Sequence, residues 1–421
     1  MNSDPNTSAP EEKFFTTPLI IIFVTVLIDL IGFGIVIPLL TFYAEEYNAT
    51  PLDVGLIMGV YSLMQFAFAP VWGSLSDRFG RRPILFITIL GSAVGYLVLG
   101  FATALWMIYF GRILAGITGG NLSTAQAYIA DVTTRQNRAR GMGLFGMAFG
   151  LGFILGPAIA GVLSRWGNHV PLLFAAGLSV ANAAFLYFYL PESRRLGEPA
   201  LPANKVSRLA NLMTTFKDAR FATITLDYFL LVTAFSMMTT SFAYFTLVNF
   251  EFGTAKTGYL FTFVGFIAAL MQGLVFGKLA TRIGEAKLAV LGCAILVGTL
   301  FATPLISNQS GGIIALLIIT AGLAIGNSLA TPALSTLASR NAGDAEQGRM
   351  LGILQSAASL ARVVGPLLCG VLLTNIASTV DGGTLRRTYW VAAAIMFVSL
   401  LTSIYFLRYS KDEQLADGPA T

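Results

Sequence analysis

The stretch Gly73-Ser-Leu-Ser-Asp77-Arg78-Phe-Gly80-Arg81-Arg82-Pro83 joins two long apolar runs of this 421-residue chain. An apolar run of roughly eighteen or more residues is long enough to cross a hydrocarbon core of about 30 Å. Runs of this kind recur from Pro18 to Leu407. The chain is therefore predicted to be an all-α membrane protein, with this polar stretch as a short loop between two of its helices.

The composition favours the same class of protein. Hydrophobic residues make up 55% of the chain and charged residues 11%, whereas an ordinary soluble domain is roughly 25% charged. The net charge of +5 could indicate nucleic acid as a partner, but nearly every Lys and Arg lies in a short loop between apolar runs. The lipid bilayer is therefore the expected partner, and binding to nucleic acid is not expected. Cys293 and Cys369 lie within apolar runs, so no disulfide is predicted.

Charges, Pro and Gly bound twelve apolar runs, which are numbered here as spans 1 to 12. The predicted spans are 18–43, 53–75, 84–101, 105–130, 140–163, 171–190, 221–249, 257–277, 287–306, 312–338, 350–375 and 389–407. Twelve is an even number, so both termini lie on one side. The loops on the other side contain only Arg165, Lys256, Arg386 and Arg387. Since Lys and Arg are enriched in cytoplasmic loops, both termini are predicted to be cytoplasmic.

A long polar stretch divides the spans six and six. Residues 191–220 carry several Lys, Arg and Pro residues and are predicted to be a cytoplasmic linker between an N-terminal bundle, 18–190, and a C-terminal bundle, 221–407. Residues 1–17 lack a cleavable signal pattern and are predicted to be a disordered tail. A C-terminal tail is predicted over 408–421.

The two halves resemble each other at an offset of about 206 residues. Gly73 to Gly80 recurs as Gly277-Lys-Leu-Ala-Thr-Arg-Ile-Gly284, Gly120-Asn121 as Gly326-Asn327, and Gly156-Pro157 as Gly365-Pro366. Three matches in the same order indicate duplication. Two parallel six-helix halves predict a central cavity that opens to either side as one half rocks on the other.

The loop between spans 2 and 3 resembles the signature loop of the major facilitator superfamily. The resemblance implies the fold of that family, twelve helices in two pseudo-symmetric six-helix bundles, and a gating role for the loop. Arg81 or Arg82 is expected to pair with Asp131 at the end of span 4, and Asp77 to bond amides at a helix N-terminus. The gating residues are Gly73, Asp77, Arg78, Gly80, Arg81, Arg82 and Asp131. In the alternative interpretation, the arginines only determine topology.

Span 5 resembles the antiporter motif of the drug:proton branch of this family. The motif residues are Gly143, Gly152, Gly156, Pro157 and Gly161, with Ala160 where a second glycine is usual. Small residues let helix backbones pack closely, and a proline bends a helix. Ordinary glycine-rich membrane packing is the alternative interpretation.

Four charged residues are predicted within spans. Arg112 in span 4 lies in a segment similar to a family motif whose arginine is linked to proton transfer. A cation in a membrane costs at least about 2.5 to 3.5 kcal/mol, so it needs a partner, and Asp29 of span 1 is the expected one. Asp29 is the predicted proton carrier, with a static ion pair as the alternative. Asp227 is the second candidate, unless it lies only at the interface. Arg362 is expected to meet an anionic substrate group or to balance an acid.

Polar and aromatic residues on otherwise apolar spans are candidates for the cavity lining, although helix-to-helix hydrogen bonds are the alternative for the polar ones. They are Tyr61, Gln65, Phe66, Asn121, Gln126, Phe149, Phe153, Tyr228, Phe235, Gln272, Asn327 and Gln355. An aromatic and amide lining with few charges favours amphipathic or lipophilic ligands over sugars.

Over nearly its whole length, the chain is most similar to tetracycline:proton antiporters and related twelve-helix drug exporters. The similarity includes Tyr61 to Phe66, Gly111 to Gly119 and Ala127 to Thr133. The chain departs from the tetracycline exporters at Gly95, where they have an acid, at Ala268, where they have histidine, and in span 9, which contains no acid. His169, the sole histidine, lies in a loop. The drug therefore stays open.

The leading hypothesis is a proton-coupled antiporter that exports small hydrophobic or amphipathic compounds. The alternative is a facilitator or proton symporter of a metabolite, such as a sugar or an organic acid, in the same superfamily. A receptor on a transporter fold would not need a titratable Asp29. No metal, nucleophile or phosphate-loop pattern is found, so neither an enzyme nor a cofactor is predicted. The protein is expected to be monomeric and, because the resemblance is bacterial, to lie in a bacterial cytoplasmic membrane.

Overall fold

The computed structural model describes residues 16–134, 137–193, 219–340, 347–375 and 379–416, and nearly all of them are helical. Most of the predicted linker and of the N-terminal tail, and residues 417–421, lie outside the described residues. Within the described ranges, twelve spans follow one another in the predicted order. Nine are single helices: span 1 Thr17–Glu45, span 2 Pro51–Phe79, span 3 Arg81–Gly100, span 5 Arg138–Leu163, span 6 Val170–Tyr189, span 7 Ala219–Phe250, span 10 Gly312–Arg340, span 11 Gln347–Leu373 and span 12 Gly382–Ala416. Span 9, Glu285–Ala302, ends in a short 3-10 turn, Thr303–Leu305.

Span 4 is interrupted near its middle. It consists of Leu105–Thr118, a 3-10 turn at Gly119–Asn121, and Leu122–Val132. The other eleven spans are long and apolar enough to cross a membrane without interruption. A side chain on Gly120 would lie 2.9 Å from the Cα of Ala69, so the lack of one lets span 4 approach the backbone of span 2 at the break.

Span 8 changes its winding as it crosses. It runs as an α-helix over Thr254–Leu270, as a π-helix over Met271–Phe276 and as an α-helix again over Gly277–Ile283. It therefore extends six residues past its predicted end, and span 12 also begins earlier and ends later than predicted. Hydropathy locates the apolar part of a span, but polar turns outside the hydrocarbon can continue the helix.

The two halves have the same internal packing. In the N-terminal half, span 1 packs against spans 5 and 6, and span 3 packs against spans 4 and 6. In the C-terminal half, span 7 packs against spans 11 and 12, and span 9 packs against spans 10 and 12. The equivalence confirms the predicted architecture of two pseudo-symmetric six-helix bundles.

The two most extensive helix pairs between the halves are span 2 with span 11 and span 5 with span 8. Glycines set the distance in both pairs. A side chain on Gly258 would lie 2.8 Å from the carbonyl oxygen of Pro157, and one on Gly370 would lie 2.9 Å from that of Pro51. These contacts lie toward the face opposite the termini, which is called the outer face below.

At the other face, which carries the termini and is called the inner face, the same helices separate. A side chain on Gly143 or Gly150 of span 5, on Gly273 of span 8, or on Gly352 of span 11 would meet no described atom within 4 Å. The two halves therefore meet at the outer face and part toward the inner face.

Candidate functional site

Asp29 lies between the helices of the N-terminal half. Its Oδ2 accepts a hydrogen bond from Nδ2 of Asn121 over 3.3 Å, and its side chain lines a crevice with Thr25, Leu85 and Ile89. The expected ion pair with Arg112 is not formed, because the break in span 4 presents Asn121 to the carboxylate. An amide is a neutral donor, so the described residues leave the charge of Asp29 without a cationic partner.

Arg112 is only 3% exposed, and its guanidinium packs on an aromatic ring instead of a carboxylate. The guanidinium carbon lies 4.0 Å from the centre of the Tyr61 ring, a distance typical of a cation–π contact. Its buried Nε has no hydrogen-bond partner. No carboxylate of the described residues lies within 4.0 Å of this side chain.

Tyr61 lies at the centre of a group of ionisable side chains from both halves. Asp29, Arg112 and Arg362 all interact electrostatically with it. Tyr96 joins them from span 3, because it interacts electrostatically with Asp29, Tyr61 and Arg112. Its hydroxyl packs against Gly32, where an added Cβ would lie 3.1 Å away. These residues are called the central cluster: Asp29, Tyr61, Tyr96, Arg112 and Arg362.

Aromatic rings extend from the central cluster along span 5. The ring centres of Tyr61 and Phe33 are 5.7 Å apart, those of Phe33 and Phe153 are 6.0 Å apart, and those of Phe153 and Phe149 are 6.1 Å apart. Phe33 was absent from the predicted lining, although its position one turn after Asp29 would have put it on the same helix face. The rings can pack against an apolar body beside the charged groups.

Arg362 is the contribution of the C-terminal half to the central cluster. It is half-buried, and its Nη2 lies 3.4 Å from the Ser359 hydroxyl oxygen. It also interacts electrostatically with Tyr228, which is buried in span 7. No acid among the described residues forms an ion pair with it.

Asp227 is 1% exposed and accepts hydrogen bonds from the hydroxyls of Ser399 and Ser403 on span 12. It is therefore buried among the helices of the C-terminal half. Thr223 precedes it by four residues, as Thr25 precedes Asp29. The two carboxylates occupy equivalent crevices of the two halves. The repeated Thr-x-x-x-Asp pattern would have identified this relation in the sequence.

The loop between spans 2 and 3 forms a compact network of charges. Of the two predicted candidates, Arg81 pairs with Asp131, with 3.1 Å between Nε and Oδ2, and it also pairs with Asp77 over 2.7 Å. Arg82 bonds the carbonyl oxygen of Tyr187 instead, and Arg78 packs over the Phe79 ring. The contacts tie the inner ends of spans 2, 3, 4 and 6 together.

Glu192 caps the N-terminus of span 3. Its two carboxylate oxygens accept hydrogen bonds from the backbone N–H groups of Arg81 and Arg82, over 2.9 and 3.1 Å, at the first turn of span 3. An anion at a helix N-terminus satisfies amides that have no partner within the helix. Gly80 is required here, because its φ is +101° and a side chain would collide with Glu192.

The antiporter-motif glycines face two different helices. A side chain on Gly152 would lie 2.7 Å from Leu30, and one on Gly156 would lie 2.7 Å from Gly34, both on span 1. Gly161 faces span 8, where an added side chain would lie 2.9 Å from the carbonyl oxygen of Ala255. Span 5 is thus packed closely between span 1 of its own half and span 8 of the other.

The remaining predicted lining residues divide into two groups. Gln65 donates to the carbonyl oxygen of Gly119 over 2.9 Å and so joins span 2 to span 4. Asn327 accepts from Thr331 over 3.0 Å, a bond within span 10. Gln272 and Gln355 are exposed, and Gln126 is half-buried. None of these five contacts the central cluster through a hydrogen bond in the described part of the chain.

Gly95 explains one departure from the tetracycline exporters. A side chain at this position would lie 3.0 to 3.2 Å from Ala115 on span 4. The position therefore serves the packing of spans 3 and 4 and has no room for an acid while these helices are so close.

The chain has close relatives among bacterial resistance proteins. Residues 22–366 and 312–420 match the family described as Major Facilitator Superfamily. The tetracycline resistance protein, class H, of Pasteurella multocida is 32% identical over 395 residues, which cover 92% of this chain and 95% of that protein. Multidrug resistance protein 2 of Bacillus subtilis is 27% identical over 360 residues, covering 85% of this chain and 88% of the relative.

Solved structures share the fold at lower identity. The human organic anion transporter MFSD10 has a TM-score of 0.68 at 23% identity and covers 92% of this chain and 99% of its own. A bacterial homolog of the human lysosomal transporter Spinster, in an inward-facing conformation, has a TM-score of 0.75 at 13% identity. The match covers 94% of this chain and 98% of that homolog.

Proposed function

This chain belongs to the major facilitator superfamily, a family of multi-pass membrane transporters of small molecules, and from that premise we infer that it is a proton-coupled antiporter. It exports small hydrophobic or amphipathic compounds by alternating access. The resistance proteins among its relatives support export, and the aromatic rows beside the central cluster support a partly apolar substrate. No enzymatic step or cofactor is part of the proposal.

The observation that carries the proposal is the carboxylate of Asp29, whose one hydrogen-bond partner among the described residues is the neutral amide of Asn121. An ionised carboxylate inside a membrane protein is costly unless a cation compensates it, whereas the protonated form needs none. Small movements of Arg112, which packs on the ring of Tyr61, would change which form is favoured. Asp29 can thus exchange a proton as the halves move.

In the proposed cycle, substrate enters from the inner face, where the halves part. A proton from the outer side then binds Asp29 and resets the carrier. Asp227, with its two hydroxyl partners, is the second carboxylate proposed for proton coupling. The contacts of Arg81 with Asp77 and Asp131 belong to the inner-face latch that forms and loosens during the cycle.

We assign the inner face to the cytoplasm, because the loops of the outer face carry few Lys and Arg residues. The proposed location is the cytoplasmic membrane of a bacterium, where proton motive force supplies the energy. The carrier works as a monomer, and nucleic acid has no part in its function.

Asp29→Asn tests the proposal in proteoliposomes under an imposed pH gradient. The substitution keeps the size of the side chain but removes the titratable group, so uphill, proton-coupled export is expected to be abolished while the protein stays folded. Glu251→Gln removes an exposed carboxylate at the outer face and is the matched control. Asp227→Asn tests the second carboxylate in the same assay. Uphill export that persists in Asp29→Asn would refute the role of this residue.

A further inference from the structure

Two arginines of the central cluster form no ion pair with an acid among the described residues. Arg112 comes from the N-terminal half and Arg362 from the C-terminal half, and both interact electrostatically with Tyr61. Neither has a carboxylate within 4.0 Å among the described residues. Each guanidinium offers five donors in a planar fork, and little of this capacity is used.

Arg112 is the stronger indication of a missing ligand. It is only 3% exposed, and its Nε has no hydrogen-bond partner among the described residues. Removing a donor from water without a partner costs about 1 to 3 kcal/mol, and more when the group is charged. The ring of Tyr61 compensates the positive charge in part but accepts no conventional hydrogen bond on its face.

Asp29 does not fill this gap. Its carboxylate is bonded to Asn121, and one carboxylate could neutralise only one of the two cations. With Asp29 ionised, the central cluster carries a net charge of about +1, and with Asp29 protonated about +2. The cluster therefore lacks an anion in either state.

We propose that the transported compound carries an anionic group, such as a carboxylate, and that Arg112 and Arg362 hold this group, one from each half. The apolar body of the compound then packs along Phe33, Phe153 and Phe149. An anion bound by both halves also bridges the two parts that must move together when the carrier changes its conformation. The inference rests on the proposed transport function and names the substrate of the same site.

The charge of Asp29 adds a second condition on an antiporter substrate. Protonation of Asp29 removes a negative charge near the site, so a simple anion and a proton favour each other's binding. Exchange requires that binding of the substrate and binding of the proton disfavour each other. A basic group on the substrate would have this effect, because it would contact the ionised form of Asp29. The charged and titratable groups that act on the same place are Tyr61, Tyr96, Arg112 and, through Tyr61, Arg362. An exchanged substrate is therefore an amphipathic zwitterion.

Four naphthalene probes of similar size test the inference on the purified full-length protein: 2-naphthoate, the zwitterion 6-aminomethyl-2-naphthoate, 2-naphthylmethylammonium and neutral 2-naphthamide. Binding is measured by calorimetry, and proton movement is measured in proteoliposomes. The two probes with a carboxylate are expected to bind more tightly than the other two, and the zwitterion is expected to release protons. A preference for the cation or the neutral probe would overturn the inference.

Arg362 is the residue to vary, because it is half-buried and its replacement is less disruptive than that of Arg112. Arg362→Gln is expected to weaken binding of both carboxylate probes about tenfold to a hundredfold, the range for one charge-assisted hydrogen bond. Arg362→Lys restores part of the loss because it keeps the charge. Lys278→Gln removes a positive charge from an exposed site and is the matched control. Equal affinities in Arg362→Gln and the native protein would overturn the inference.

Asp29→Asn separates failure of this inference from failure of the proposed function. If the carboxylate probes bind Asp29→Asn but move no protons, both proposals stand. If Asp29→Asn still couples zwitterion export to protons, the proton carrier is wrong but the anion site stands. If a cation alone drives Asp29-dependent exchange in the native protein, the proposed function stands and the anion site is refuted.

Discussion

At the inner face, single residues connect the loop between spans 2 and 3 to span 4 and to the residues that follow span 6. Arg81 is 9% exposed and bonds Ser76 and Asp131 through its side chain, while its backbone N–H donates to Glu192. Ser193 also donates to Asp131, over 3.2 Å. The first residues after span 6 are thus bonded to the loop between spans 2 and 3, which is the proposed latch.

Glu192→Ala should destabilise the protein by about 1 to 2 kcal/mol, because two backbone amides of span 3 lose an ionic acceptor. The expected observation is a lower thermal midpoint in detergent, with Glu192→Gln intermediate because it keeps an acceptor oxygen. Glu251→Gln should leave the midpoint unchanged. An unchanged midpoint in Glu192→Ala would mean that water replaces the carboxylate at no cost.

Individual helices determine how closely the two halves approach. Gly258 of span 8 lies against the backbones of Pro157 and Gly161 of span 5. A side chain added to Gly265 of the same helix would lie 2.7 Å from the carbonyl oxygen of Phe153. The antiporter motif therefore has a definite packing partner. Its glycines are needed where span 5 meets span 8 and span 1, but Gly143 at the inner end meets neither.

Gly258→Leu should force spans 5 and 8 apart and shift the protein toward conformations that are open at the outer face. A pair of spin labels at Phe101 and Leu305, which are exposed at the outer ends of spans 3 and 9, reports the separation of the halves. The distance between the labels is expected to increase. Gly177→Leu is the matched control, since its added side chain has open space. Equal distances in the two variants would contradict the packing role.

At the scale of the whole molecule, the described residues of the two halves meet at the outer face and part toward the inner face. The outer face is closed by the glycine contacts and by polar bonds between the halves, such as that from Arg165 to the hydroxyl of Tyr259 over 2.8 Å and that from Thr254 to Asn168 over 2.9 Å. In the proposed alternating-access cycle, these bonds break when the inner face closes. This cycle requires outer contacts that together hold the two halves in contact but are individually weak.

Joining the halves covalently at the outer face should stop transport. Arg165→Cys and Tyr259→Cys, linked by a short bifunctional thiol reagent, are expected to bring transport close to zero, and a reducing agent should restore it. Cys293 and Cys369 are fully buried and do not compete for the reagent. Each single variant treated with the reagent is the control. Full transport by a linked protein would exclude the rocking motion.

The sequence alone determined the membrane class, the twelve spans, the duplication and the charged loop, because hydropathy, turn residues and repeats are properties of neighbouring positions. Only the tertiary structure decided which side chains meet. Asp29 bonds Asn121, 92 positions away, and not Arg112; Glu192 caps a helix 111 positions before it. Such contacts depend on the rotation and distance of packed helices, and no local pattern encodes these quantities.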